Sequence, residues 1–434
     1  MNPESAGDAP AIDTVLSNGL RVRILPDGSV PIVSCWVGYR VGSRDEFPGI
    51  TGASHWVEHM TFKRTRTLRE GEIFQRTARV GGSNNGFTSD DHTVYYETVP
   101  AAHLDLALEI EAERMATACF DVEEFERERG VILAERSGSE NSPHFLLWER
   151  MLETIFTSHP YRWPIIGRRV DLESMSRDQL FQHYRRWYRP DNAVLTIAGD
   201  VDPDRALSQV ESRFSDISAD HAAVREAMSE PDQQEARRVE FRMPGPAAYL
   251  TVAYRAPAFG TPDWFALAVA DALLSGGKSV VTSGGGYVGR SMRLYRRLVD
   301  GHLAQSASSS LRIRRDPFLF TASLTLAAGV DPEIAEARLC EEIEGLGSSP
   351  PSQQELDRAR RQVEAQFAYG REGVTNQAYG ALYFSLLGCP EMLESYVPHM
   401  LKVTPEAVAE AASRYLRPQG RTVGWFFPEA GGSV

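Results

Sequence analysis

Two stretches of the chain repeat one local pattern at a constant offset of 228 residues, and that repetition narrows the possible folds more than any other feature. "DQLFQHYRRWYRPDNAVLTIAG" (178–199) aligns without a gap to "EAVAEAASRYLRPQGRTVGWFF" (406–427), with Pro190 facing Pro418 and Tyr184 facing Ala412. "EEFERERGVILAER" (123–136) likewise resembles "QELDRARRQVEAQF" (354–367), with Arg127 against Arg358. Matching segments in the same order imply a duplicated domain. With 434 residues the chain has room for two copies. Between them, "SDISADHAAVREAMSEPDQQE" (215–235) is poor in large apolar residues and reads as a linker. The expected division is 1–214, a linker over 215–235, and 236–434.

Each copy mixes the two regular periods. "TVLSNGLRVRIL" sets Asn18-Gly19 between alternating runs, a hairpin signal, and "PIVSCWVGYRVGS" continues in strand. A helical period follows Gly52, and "SNNGFTSDDHTVYYETV", rich in Thr, Val and Tyr, returns to strand. Helices are expected through "AHLDLALEIEAERMATA" and "DVEEFERERGVILAERSGSE". A further helix ends at "HYRRWYRP" before the strand "NAVLTIAGD". Without strict βαβ alternation the class is α+β, each half a sheet backed by helices.

Composition removes several functions. A net charge of −13 argues against nucleic acid or an anionic membrane as the main partner. No apolar run approaches the ~20 residues that span a bilayer. The N-terminal "MNPESAGDAPAIDT" is acidic and lacks an apolar core, and the four cysteines are scattered and form no C-x-x-C pair, so a cytoplasmic location with structural thiols is expected.

Chemistry concentrates in "GASHWVEHMTFKRT" (52–65). On a helix, His55 and His59 share one face a turn apart and can point two imidazoles at one metal ion, with Glu58 a position off that axis. Taken alone, the pattern also fits two incidental histidines on an amphipathic helix. A hydrolytic zinc site needs a third protein ligand and an open fourth position. Glu128 and Glu135 are seven residues apart on one face of a later helix, near Val131 and Ile132. A carboxylate on a partly apolar face needs a partner to be buried, and Glu135, inside "GVILAE", is the less comfortable of the two. The corresponding helix of the second copy, "WFALAVADALLS", is apolar, so only the first half can carry this chemistry.

Together these features resemble the pitrilysin and mitochondrial-processing-peptidase family of inverted zinc metallopeptidases. Its members open with a β-hairpin, carry G-x-x-H-x-x-E-H-M-x-F, and place a glutamate some seventy-five residues later; here Glu135 follows His59 by 76. The family's G-G-x-x-N-A-x-T-x-x-D-x-T-x-Y reads here "GGSNNGFTSDDHTVY", with Gly86 in place of Ala. The resemblance extends over nearly the whole chain. It implies two duplicated domains, each a mostly antiparallel sheet backed by helices, forming half of a clam-shell chamber. It makes His55, His59 and Glu135 the Zn2+ ligands, Glu58 the general base, and Glu128 a second acidic residue that supports the ligands. It also implies that Asn85, Gly86, Phe87 and Thr88 lie on an edge strand that pairs with the backbone of a peptide substrate.

One family feature is missing. Many relatives carry L-R-x-x-x-G-x-A-Y in the second half, where the Arg holds substrate and the Tyr stabilises the tetrahedral oxyanion. In "RLYRRLVDGHLAQS" Val299 and Gln305 occupy those places, and Arg296 and Arg297 read as a solvated basic face. The resemblance implies a zinc-bearing subunit whose homologous partner, in a heterodimer, supplies the pair; a homodimer stays open. The alternative is a non-catalytic structural subunit, against which the intact set of His55, Glu58, His59 and Glu135 argues. Arg64, where the family often has Gly, is a minor departure. In "LLSGGKSVVTSGGGYVGRS" the Gly277-Lys278-Ser279 ending resembles a P-loop. The required earlier glycine is Ala272, so a flexible glycine-rich loop facing the chamber is expected instead.

Overall fold

The computed structural model describes residues 10–219, 225, 228–279 and 289–429. The chain forms two α+β units, each built on its own sheet. In the first, the strand order is Ile12–Val15, Arg21–Pro26, Ala193–Gly199, Ile32–Tyr39, Thr93–Pro100 and Ser83–Thr88. All neighbours are antiparallel except Arg21–Pro26 with Ala193–Gly199. The first two strands form the hairpin expected at Asn18-Gly19, with Gly19 at φ 88°. The second sheet runs Arg237–Met243, Arg421–Pro428, Tyr249–Ala256, Phe318–Leu326 and Ala304–Leu311, and again only the first pair is parallel. Counted outward from the parallel pair, the two sheets have one strand order and one polarity. The duplication read from the repeats is thus present in the topology.

The units do not follow the linear division. Residues 138–162 belong to the second unit and 371–393 to the first. The physical reason lies in the sheets, each of which is apolar on both faces. Ala193–Gly199 is buried at every position, a continuous apolar run suited to a strand covered on both sides. Helices Leu104–Thr117, Val122–Glu140 and Arg177–Trp187 cover one face through a cluster that includes Val22, Val37, Leu108 and Leu180. The other face, with Trp36, Val94 and Val194, is covered by helix Val374–Leu386, whose Val374, Ala378, Leu382 and Leu386 recur every four residues. Helix Pro143–Ile155 does the same for the second sheet, packing Leu147, Met151 and Ile155 on Phe241, Phe318 and Phe426. Each half of the chain therefore lends one helix to the sheet of the other.

A fragment ending at residue 214 would leave that face bare, and each buried aromatic or branched side chain there is worth about 1.5–3 kcal/mol. We expect residues 1–214 alone to bind a hydrophobic dye and to melt without a cooperative transition. A sharp calorimetric transition for that fragment would show helix Val374–Leu386 to be dispensable.

Part of the linker, 220–224 and 226–227, lies outside the described residues, as does 280–288 of the glycine-rich run. The linker's described end is anchored: Glu230 accepts hydrogen bonds from Thr157, Ser158 and His159 at 2.7–2.8 Å. All four cysteines are free thiols. No described helix is long and apolar enough to cross a membrane.

Candidate metal centre

The motif helix, Ala53–Met60, starts where only glycine fits. Gly52 has φ 90°, and a Cβ on it would lie 2.6 Å from the carbonyl oxygen of Ile166. Glu46 caps this first turn, one carboxylate oxygen accepting from Gly52 N at 2.6 Å and the other from Ser54 N at 2.7 Å. Burial pushes the Glu46 carboxyl up to about 8 against those hydrogen bonds. Trp56, between the two histidines in sequence, stacks on Phe125 of helix Val122–Glu140 with centroids 4.6 Å apart and planes at 3°. The Arg129 guanidinium lies 5.0 Å from the Trp56 ring and 4.8 Å from Phe125. This stack locks the register between the two helices and so decides which glutamates meet which histidines.

That register brings His55, His59 and Glu135 together: one ligand atom from each lies within 4.8 Å of the others. His55 Nε2 is 3.7 Å from one Glu135 oxygen and His59 Nε2 is 3.7 Å from the other. Two nitrogens and a carboxylate suit zinc, whose ~2.1 Å bonds set the corners of a tetrahedron about 3.4 Å apart. The residues present therefore fit the ion. Glu128 is not in that cluster. Its Oε1 is 2.7 Å from His59 Nδ1, so Nδ1–H donates to the carboxylate and Nε2 is left free for a metal. His55 Nδ1 is buried and has no hydrogen-bond partner among the described residues, so only one of the two rings is oriented by a carboxylate.

The burial of the two glutamates reverses the expectation from sequence. Glu128 is the buried one, its side chain 5 % exposed, while that of Glu135 is 46 % exposed. Glu128 can be buried because His59 and Lys63 both donate to it. Burial alone would raise its carboxyl, yet those hydrogen bonds outweigh burial and hold it below the usual range. Burial, and then the neighbouring His59, lower His55 to about 3, which keeps this imidazole neutral and able to ligate. Burial also opposes charge on His59, but the bond to Glu128 and the charges of Glu58, Glu128 and Glu135 prevail and raise it.

Glu58 is buried, and burial raises its carboxyl against a hydrogen bond from Thr88 and the influence of His59. Thr88 Oγ1 donates to Glu58 Oε2 at 2.7 Å. Thr88, expected as a substrate contact, thus spends its hydroxyl on aiming Glu58, a role the sequence did not reveal. Asn85, Gly86 and Phe87 stand on Ser83–Thr88, which among the described residues pairs only with Thr93–Pro100 and is an edge of its sheet. Gly86 has a steric reason. A Cβ there would meet Tyr95 Cδ1 at 2.9 Å, Phe62 Cε2 at 3.0 Å and the Val94 carbonyl oxygen at 3.1 Å. Phe62 has little freedom to yield, being stacked on Phe74 at 5.3 Å with the buried Arg114 guanidinium 4.7 Å from its ring. Gly86→Ala, although it installs the residue usual in the pattern, should cost about 1–3 kcal/mol in chemical denaturation through overpacking. An unchanged midpoint would mean that the Phe62 stack gives way.

In the second unit Val299 is half-buried and Gln305 is exposed on the edge strand Ala304–Leu311. Arg297 pairs with Glu342 at 2.8 Å, and Arg296 is exposed. Lys278, the would-be phosphate lysine, is bound to Asp271 at 2.7 Å.

A two-sheet duplicated fold with an inverted His-x-x-Glu-His helix facing a glutamate-bearing helix defines a class of metallopeptidase. Residues 22–169 match the model of the insulinase family (peptidase family M16) and residues 174–363 that of the peptidase M16 inactive domain; the chain belongs to peptidase family M16. It is 31% identical over 373 residues to the zinc protease PqqE of Helicobacter pylori, a match covering 84% of this chain and 80% of that protein. Identity is 32% over 288 residues to an uncharacterized zinc protease of Mycobacterium leprae, covering 64% of this chain and 62% of the relative. Matches to zinc proteases of Mycobacterium bovis and Bacillus subtilis span about half of those proteins, 46% and 49%. Among solved structures, a protease from Helicobacter pylori is similar with a TM-score of 0.89 at 27% identity, over 96% of this chain and 100% of that one.

Proposed function

We propose that this chain is a zinc-dependent endopeptidase that hydrolyses peptides or unfolded segments, and that it is the zinc-bearing subunit of a dimer. The observation that carries the reading is the convergence of His55, His59 and Glu135 within 4.8 Å, with Glu58 buried close enough to feel the charges of His59 and Glu135. A zinc ion held by those three side chains would polarise a peptide carbonyl and make a water acidic enough to lose a proton near neutral pH. Glu58 takes that proton and returns it to the leaving amine. Thr88 keeps the carboxylate in place, and Glu128 keeps His59 in the ligating tautomer. The edge strand Ser83–Thr88 offers its free backbone groups to an extended substrate, which adds as a further strand.

The partner follows from what the second unit lacks. Val299 and Gln305 provide neither the cation nor the phenol that usually completes such a site, so a homologous chain bearing the Arg/Tyr pair is the complementary half. The second reading, a non-catalytic subunit, is favoured by that same lack. Metal analysis of the purified chain separates the two. The peptidase reading requires about one zinc per chain and chelator-sensitive hydrolysis of an unstructured peptide once the partner is added. A zinc-free chain indifferent to chelator would leave the structural role.

A further inference from the structure

Of the 46 basic residues only three are lysines, Lys63, Lys278 and Lys402; everywhere else the chain uses arginine. Two of the three occupy matching places in the duplicated fold. Lys63 stands three residues beyond Met60, the end of the motif helix, and Lys278 three residues beyond Ser275, the end of the counterpart helix Pro262–Ser275. Each ammonium lies 2.7 Å from a buried carboxylate, Glu128 in one unit and Asp271 in the other. An ammonium is a compact charge with three rotatable donors, whereas a guanidinium is a broad rigid fork, so the two are not interchangeable in a narrow gap.

In the first unit that contact belongs to a chain of alternating charge running outward from a proposed zinc ligand. His59 Nδ1 meets Glu128 Oε1 at 2.7 Å, Glu128 Oε2 meets Lys63 Nζ at 2.7 Å, Lys63 lies 3.5 Å from Glu70, and Glu70 lies 3.1 Å from Arg127. Without Lys63 the second oxygen of Glu128 would be buried with no cation, and the carboxylate would be free to swing from the imidazole. The second unit, which has no metal motif, uses its lysine in the same way: Lys278 holds Asp271 while Ser309 Oγ donates to the other carboxylate oxygen at 2.5 Å. At this place in the fold a lysine fixes a buried carboxylate.

We propose that Lys63 is a positioning residue of the metal centre, whose ammonium holds Glu128 so that His59 presents Nε2 to the ion. This rests on the reading of His55, His59 and Glu135 as a zinc site. The test uses the full-length chain and reads zinc affinity by competition with a chromophoric chelator, beside the thermal midpoint of the metal-free protein. K63M should weaken zinc binding about ten-fold, the scale of losing a group that orients a ligand. E128Q should weaken it similarly, and the double variant should be no weaker than E128Q alone, because Lys63 acts through Glu128. K402M, at an exposed helix end, is the control. A K63M affinity within about three-fold of wild type, or effects that multiply in the double variant, would overturn the proposal. Should K63M not fold, K63R, which keeps the charge but not the shape, is judged by the same threshold. If the wild-type chain itself binds no zinc, the reading of the site fails; if it binds and K63M binds equally, only the role of Lys63 fails.

Discussion

Glu58→Gln should lower peptide turnover by about three orders of magnitude, within the range for a positioned general base, while zinc content stays at that of the wild type. The substitution is close to isosteric, and the new side-chain oxygen can still accept from Thr88 Oγ1. No ligand atom of the His55, His59 and Glu135 cluster is altered. Because burial already disfavours the Glu58 charge, a neutral amide there should not cost stability, and the thermal midpoint should stay level or rise slightly. Turnover of a fluorogenic peptide, measured with the partner present, checks the rate, and atomic absorption checks the metal. A variant that cleaved at the wild-type rate with full zinc would remove Glu58 from the role of base.

His55→Ala should abolish the metal site. Two protein ligands do not make a zinc centre of the hydrolytic kind, and occupancy should fall from about one ion per chain to under about a tenth at micromolar zinc. The same loss is legible in stability. Zinc at a hundred times its dissociation constant should stabilise the wild-type chain by about 2.7 kcal/mol through mass action, and His55→Ala should show no zinc-dependent rise at all. Chelator should erase wild-type activity and added zinc restore it, whereas the variant should respond to neither. Because His55 is neutral and its Nδ1 lacks a partner, its loss breaks no hydrogen bond, so the metal-free variant should fold. A zinc-dependent rise in the melting temperature of the variant would place the ion elsewhere.

Much of this protein was legible as spacing. Histidines four apart on a helix, glutamates seven apart on another and an Asn-Gly between alternating runs are local patterns, and local geometry turns each directly into a face or a turn. The duplication was legible because the repeats keep one order along the chain, and counted outward from the parallel pair both sheets accordingly share one strand order and polarity. Burial on the glutamate helix was not legible. Glutamates populate several of its turns, and nothing along the chain marks Glu128 rather than Glu135 as the one enclosed. Phe125, which docks under Trp56, gave no signal beyond an ordinary apolar residue.

The sequence by itself determined which half carries the His-x-x-Glu-His pattern and which residue types are available for the chemistry, and the family resemblance pointed to Val299 and Gln305 as places where an Arg and a Tyr are absent. Only the tertiary structure decided how those residues are held. The Trp56–Phe125 stack sets the helix register, Lys63 and His59 share Glu128, the Thr88 hydroxyl supports Glu58, and the two halves of the chain exchange helices 143–155 and 374–386. The reason is physical. A period in the sequence specifies the face an element presents, whereas the partner that covers it, and the polar groups enclosed between them, depend on long-range packing that no local pattern encodes.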